Sequence, residues 1–321
     1  MQKQKLITAR FSVFLPILML VAASAYGDPS AAKPAITKPA GAIPPVPADV
    51  TLIQDIEYGN AGGIPLYLHL ALPKTLDKPV PVIIIVHGGG WQGGDRNSNL
   101  LGAYKFAENG FAAASIEYRL SQQAPFPAQI QDCKCAVRYL RANAGKYHID
   151  PDHIGTLGDS AGGHLVALMG LTENVPEFEG DGGSKGVSSR VQAVCDMFGP
   201  ADLIAWLYDP NRRTAAEQDP GMIRLFGGPV YDNLEKIHQA SPIAHVQNSN
   251  NTPPFLILHG DKDPNVPLQQ SLSLADALQK KGADVTLRVQ LNAGHGGAYF
   301  FPNAWPDMQA FFNRTLKPQV Q

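Results

Sequence analysis

The segment Gly158-Asp159-Ser160-Ala161-Gly162 sets a serine between two glycines, after an apolar run and before a helix-forming one. Glycines at those places let the chain turn sharply from strand to helix, so that the hydroxyl projects from the turn with a helix N-terminus beneath it. Alone the pattern is weak, because small-residue turns between strand and helix also serve packing. A serine hydroxyl is a poor nucleophile at neutral pH; it needs an imidazole to take its proton and a carboxylate to hold that imidazole in the correct tautomer. Two later loops carry both groups. His259-Gly260-Asp261-Lys262-Asp263-Pro264 follows the apolar run 255–258, and Asn292-Ala293-Gly294-His295-Gly296 follows the run 285–289. Of the nine histidines only His295 lies in a glycine-flanked loop after the last such run, which makes it the base. His69, His148, His153, His238 and His245 lack that setting and default to surface or core imidazoles. Asp261 and Asp263 compete for the acid role.

A tetrahedral oxyanion needs donors, and His87-Gly88-Gly89-Gly90-Trp91 follows the run VPVIIIV. Successive glycines expose backbone N–H groups without side-chain obstruction, so the hole is assigned to the amides of Gly89 and Gly90 with that of Ala161. Removing one such donor costs on the order of 3 kcal/mol of transition-state stabilisation. A phosphate-binding reading of the loop fails because no GxxxxGK[ST] follows. His87 is expected to order the loop, and Asp159 to shape the cleft. Trp91 either lines the pocket or packs, and His164 is expected to point into the core. Arg119 with Asp132 reads as a buried ion pair of structural value. This chemistry calls for no metal and no organic cofactor. Three cysteines without a matching histidine spacing do not make a zinc site either.

Such loops need a sheet to hold them. Residues 80–86 form a β-branched run of the kind buried on both faces of a central strand. Runs at 111–116, 154–157, 191–195, 255–258 and 285–289 read the same way, with helical stretches at 103–109, 129–144, 161–171, 269–282 and 304–316. Alternating strands and helices imply a mostly parallel sheet covered on both faces. Segments 51–58 and 65–72, joined by a turn at Asn60-Ala61-Gly62-Gly63, read as an antiparallel hairpin at the sheet edge. Residues 172–246 fit this rhythm poorly and carry short helices at 203–208 and 215–226. Two readings stay open for that segment: a small substrate-covering cap, or surface loops with no part in binding.

The 44% hydrophobic and 17% charged content suits one large core, and a formal net charge of -2 without any Lys/Arg-rich run gives no sign of a nucleic-acid partner. Lys3, Lys5 and Arg10 precede an apolar run 11–23, and Ala23-Ser24-Ala25 matches an export-signal cleavage pattern, placing the cut after Ala25. The run falls short of the roughly 20 apolar residues of a bilayer span and contains Pro16, so no stable membrane anchor is expected. Residues 26–47 are Ala/Pro-rich and read as an extended linker; the folded domain is expected over 48–321. Cys133, Cys135 and Cys195 are too few for a disulfide scaffold, and the first two, two apart on a helix, point to different faces.

Together, HGGGW at 87–91, EYRL at 117–120, FPAQIQD at 126–132, GDSAGGH at 158–164, HGDKDPNVP at 259–267 and AGHGG at 293–297 resemble the α/β-hydrolase superfamily. The resemblance is to its hormone-sensitive-lipase-like and feruloyl/acetylxylan-esterase-like (BD-FAE-like) branch, and it covers nearly all of the chain after the linker. It implies an α/β-hydrolase fold with a catalytic set in the order Ser160, Asp263, His295, and it favours Asp263 over Asp261, which is left to cap the turn. The implied activity is serine carboxylic ester hydrolysis through an acyl-enzyme. The implied substrates are small or polysaccharide-linked acetyl, short-chain acyl or feruloyl esters. An export signal fits a secreted or periplasmic enzyme acting on polymer-derived substrates, and argues against an arylformamidase-like role. A serine peptidase is disfavoured by the HGGG loop, and a non-catalytic binding protein by the filled triad.

Overall fold

The computed structural model describes residues 42–173, 175–210, 218–297 and 300–317. The export segment and most of the linker expected from the sequence lie outside them. Among the described residues eight strands, β1 (Val50–Ala61), β2 (Ile64–Pro73), β3 (Val80–Val86), β4 (Ala112–Ile116), β5 (Ile149–Asp159), β6 (Ala193–Met197), β7 (Phe255–Gly260) and β8 (Val285–Gln290), form one sheet in the order β1-β2-β4-β3-β5-β6-β7-β8. The first two pairings, β1 with β2 and β2 with β4, are antiparallel, and all others are parallel. The helices are α1 (Leu100–Glu108), α2 (Ala128–Ala142), α3 (Ala144–Tyr147), α4 (Ala161–Leu171), α5 (Leu203–Leu207), α6 (Pro220–Phe226), α7 (Leu234–Gln239), α8 (Pro242–His245), α9 (Gln269–Lys280) and α10 (Phe300–Leu316). This is the α/β-hydrolase fold.

The alternation of side chains along a strand sorts β3 between two cores. Val82, Ile84 and Val86 join the cluster built with α2, α4 and α9, while Ile83 and Ile85 join the one built with α1 and α10. All eleven residues of α4 are buried, which is why it shows no polar face. The hairpin turn is tighter than the sequence suggested. Asn60 and Ala61 still pair with Pro65 and Ile64, leaving only Gly62 and Gly63, with φ of 60° and 81°, to reverse the chain. β6 runs two residues later than expected, because its pairing with β5 starts at Ala193. Folded structure also begins before Ala48: Ile43 packs on the α1 and α10 core, and Tyr104 Oη donates to Pro44 O at 3.2 Å.

Segment 172–246 adds α5 to α8 to the main core, burying Leu203, Leu225, Phe226 and Ile237 in the same cluster as α4. Two of its helices start from side-chain caps, Asp202 for α5 and Asp219 for α6, the latter with Pro220 at the first helical position. The sequence expectation of a helix from 215 was early: Asp219 is the cap, and 215–217 fall outside the described residues. Cys133, Cys135 and Cys195 are buried free thiols. Among the described residues no helix is long and apolar enough to cross a membrane, and no group of three or more His, Cys, Asp or Glu side chains is placed to hold a metal ion.

Candidate active site

Every loop singled out in the sequence leaves the C-terminal end of a parallel strand, so the loops gather at one edge of the sheet. Between β5 and α4 the chain turns at Ser160, which adopts φ 54° and ψ -119°. That conformation is unfavourable for a residue with a side chain, and the surrounding structure holds it there. Ser160 N donates to Met197 O on β6 at 2.9 Å, and Ser160 O accepts from His164 N at 3.0 Å. A Cβ on Gly158 would strike the Gly162 carbonyl, and one on Gly162 would strike Val86 O, which explains the flanking glycines.

Ser160 and His295 lie 135 residues apart, yet His295 Nε2 sits 2.9 Å from Ser160 Oγ. Its Nδ1 lies 2.6 Å from Asp263 Oδ2. A carboxylate accepts only, so Nδ1 carries the proton and the Nε2 lone pair faces the hydroxyl. Asp263 has a fully buried side chain. Burial alone would raise its pKa, but hydrogen bonds from His259, His295 and the amides of Val266 and Asn265 outweigh it. They hold the carboxyl well below the usual carboxylate range. Asp261, the competing acid, is exposed on the outside of the same loop, its backbone amide bonded to Gln290 O. Beneath Asp263 lies buried His259, whose Nε2 donates to Val266 O at 2.9 Å and whose Nδ1 lies 2.7 Å from Ser271 Oγ. Sequence reasoning passed over His259, although its place two residues before Asp261 at a strand end was the available signal.

Gly89, Gly90 and Ala161 line one cavity with Ser160 and His295. Gly89 has φ 109° and no room for a Cβ against the Gly93 carbonyl, so only glycine fits. Among the described residues no protein acceptor takes the amides of Gly89 or Gly90, and Ala161 opens α4, where a helix leaves its N–H groups free. The loop is fastened at several points. His87 stacks on Tyr118 at 4.4 Å, and Tyr118 Oη donates to His87 O. Asp159 Oδ1 accepts from Gly88 N at 3.3 Å and Asn99 Nδ2 at 3.2 Å, with burial raising the pKa of this carboxyl. Further along, buried Arg96 ties the chain to Asp55 on β1 and to Glu117.

The cavity encloses about 430 Å³, and both Trp91 and Asp159 belong to its wall. Phe198, Pro200, Trp206, Val266 and Phe301 also line it and were missed. Phe198 carried a readable signal in its position just after β6. Its ring packs 4.6 Å from that of His295. Trp206 and Phe301 come from segments with no motif, and only folding brings them here.

The BD-FAE family profile matches residues 68–278. "Esterase LipC" of Mycobacterium tuberculosis is 33% identical over 255 residues, covering 76% of this chain; the chain spans 60% of that relative's own length. Among solved structures, a truncated form of carbohydrate esterase from gut microbiota superposes with a TM-score of 0.72 at 33% identity, over 82% of this chain and 95% of the other. A bifunctional GH43-CE protein of Bacteroides eggerthii gives a TM-score of 0.72 at 32% identity, over 82% of this chain and 38% of the other.

Proposed function

The chain belongs to the BD-FAE family, and from that premise we propose that it is a serine carboxylic ester hydrolase working through an acyl-enzyme. The reading is carried by one observation, His295 bridging Ser160 Oγ and Asp263 Oδ2 at 2.9 and 2.6 Å. His295 Nε2 takes the hydroxyl proton as Ser160 Oγ attacks the ester carbonyl. The carbonyl oxygen, now an anion, turns to the amides of Gly89, Gly90 and Ala161. As the tetrahedral adduct collapses, His295 returns the proton to the departing alcohol, leaving the acyl group on Ser160. Water enters next; His295 removes one of its protons, and the second collapse releases the carboxylic acid and restores the serine hydroxyl. Asp263, held ionised by its donors, keeps the imidazolium oriented throughout.

The substrate class follows from the setting. The open wall of about 430 Å³ suits a small acyl group, acetyl or short-chain, with feruloyl as the aromatic option. The likeness to LipC and to a carbohydrate esterase supports ester cleavage, with the ester linked to sugar. The segment ending at Ala25 supports an exported enzyme acting on such material outside the cytoplasm. Replacing the nucleophile tests the assignment: Ser160→Ala is expected to lower kcat on nitrophenyl acetate by about 10⁴-fold or more. Turnover equal to the parent's would overturn it.

A further inference from the structure

Behind the cleft lies a bridge that the proposed chemistry does not use. His164 stands one helical turn after Ser160 on α4 and is fully buried. Its Nδ1 is 3.3 Å from Trp91 Nε1, and its Nε2 is 2.7 Å from Ala240 O. An indole N–H only donates and a carbonyl only accepts, so the protons are assigned without ambiguity: Nε2 donates to Ala240 and Nδ1 accepts from Trp91. The ring must therefore be neutral, since an imidazolium would set a second donor against the indole N–H. Burial favours the same state, pulling the pKa of His164 down to about 4.

Trp91 needs such a fastening. It directly follows Gly90 and adopts φ 59°, a left-handed conformation that a bulky residue occupies only when its neighbours hold it. Trp91 O accepts from Ser121 N at 2.7 Å, and the indole meets the His164 ring edge-on at 5.2 Å. The glycine loop is thus pinned at both ends, by Asp159 on Gly88 and by His164 on Trp91. Ala240 belongs to the turn between α7 and α8, so the bridge also ties segment 172–246 to the loop.

We propose that His164 is a positioning residue, a neutral imidazole that pins Trp91 and thereby sets the Gly89 and Gly90 amides over Ser160. This rests on the serine hydrolase reading given above, and it adds a role to a histidine that points into the core as the sequence led one to expect.

A double-mutant cycle on the full chain tests it, with kcat and KM measured on nitrophenyl acetate. His164→Phe is expected to lower kcat roughly ten- to a hundredfold with KM changed less than about threefold, as loss of transition-state donors requires. His164→Gln, whose amide supplies one acceptor and one donor, restores most of the rate. In a Trp91→Phe background the cost of His164→Phe shrinks to less than about threefold, because the partner is already gone. A lowered melting temperature with kcat unchanged, or strictly additive losses, would overturn the bridge. If His164→Phe does not fold, the cycle is run with His164→Leu, which also lacks both hydrogen-bonding groups, against Trp91→Phe, and additivity overturns the proposal equally. Labelling of the parent by diethyl nitrophenyl phosphate separates the two levels. A parent that is neither labelled nor active overturns both readings, whereas a labelled parent with an additive cycle overturns the bridge alone.

Discussion

Near the C-terminal ends of the neighbouring strands β6 and β7, two carboxylates are withdrawn from water and respond in opposite directions. Asp196, on β6, is 1% exposed and is pushed up to about 6, chiefly by burial. Its Oδ1 accepts from Gly199 N at 2.9 Å, while Oδ2 is buried with no hydrogen-bond partner among the described residues. Asp263, just past β7, is as deeply buried at its side chain, yet it is held low by two imidazoles and two backbone amides. His259 Nε2 lies 3.4 Å from Asp263 Oδ2. Burial sets the cost of the charge in both places; the number of donors aimed at the oxygens decides whether that cost is met. One carboxylate can thus steady a passing imidazolium, whereas the other braces the turn that carries Phe198.

The sharpest way to break this contrast is to remove the charge that the donors protect. Asp263→Asn is expected to lower kcat by about 10³- to 10⁴-fold with the fold intact, because an amide no longer enforces the Nδ1–H tautomer. Steady-state kinetics on nitrophenyl acetate checks it, and a loss of less than tenfold would detach Asp263 from the chemistry.

Next in size is the pH dependence of stability. The folded state binds the Asp196 proton more tightly than the unfolded chain does. Its stabilising contribution is therefore full below about 3.8 and is lost as pH rises through about 6. The shift bounds this loss at about 3 kcal/mol. In Asp196→Asn, the fall in urea midpoint from pH 4 to pH 7 should flatten relative to the parent. Asp263 carries the reverse sign, contributing above its ordinary range and losing that contribution as pH falls through its low folded value. An unchanged slope in Asp196→Asn would place the pH response elsewhere.

The smallest expected effect belongs to the exposed competitor. Asp261→Asn should leave kcat within about twofold and stability within about 0.5 kcal/mol of the parent, since its side chain faces solvent. A tenfold loss of kcat would mean that the acid role is shared along the loop.

Much of this arrangement was legible before folding. The run 80–86 announced β3 at its observed limits, and residues 161–171 announced α4. Both signals are local: β-branched side chains suit a strand buried on two faces, and a glycine-flanked serine marks the turn into a helix. Gly89 was legible for the same reason, since its φ of 109° excludes other residues. Where neighbours compete, reading was poorer. β6 slid by two residues because β5 sets its register, and α6 waited for Asp219 to cap it.

The sequence by itself determined which side chains are able to do acyl-transfer chemistry and that each follows a strand, because turn preference and apolar periodicity act over a few residues. Only the tertiary structure decided that His295 reaches Ser160 and Asp263 at once, that Trp206 and Phe301 wall the cleft, and that His164 reaches both Trp91 and Ala240. Those outcomes depend on separations and burial summed over partners tens to hundreds of residues away, and no local pattern carries such sums.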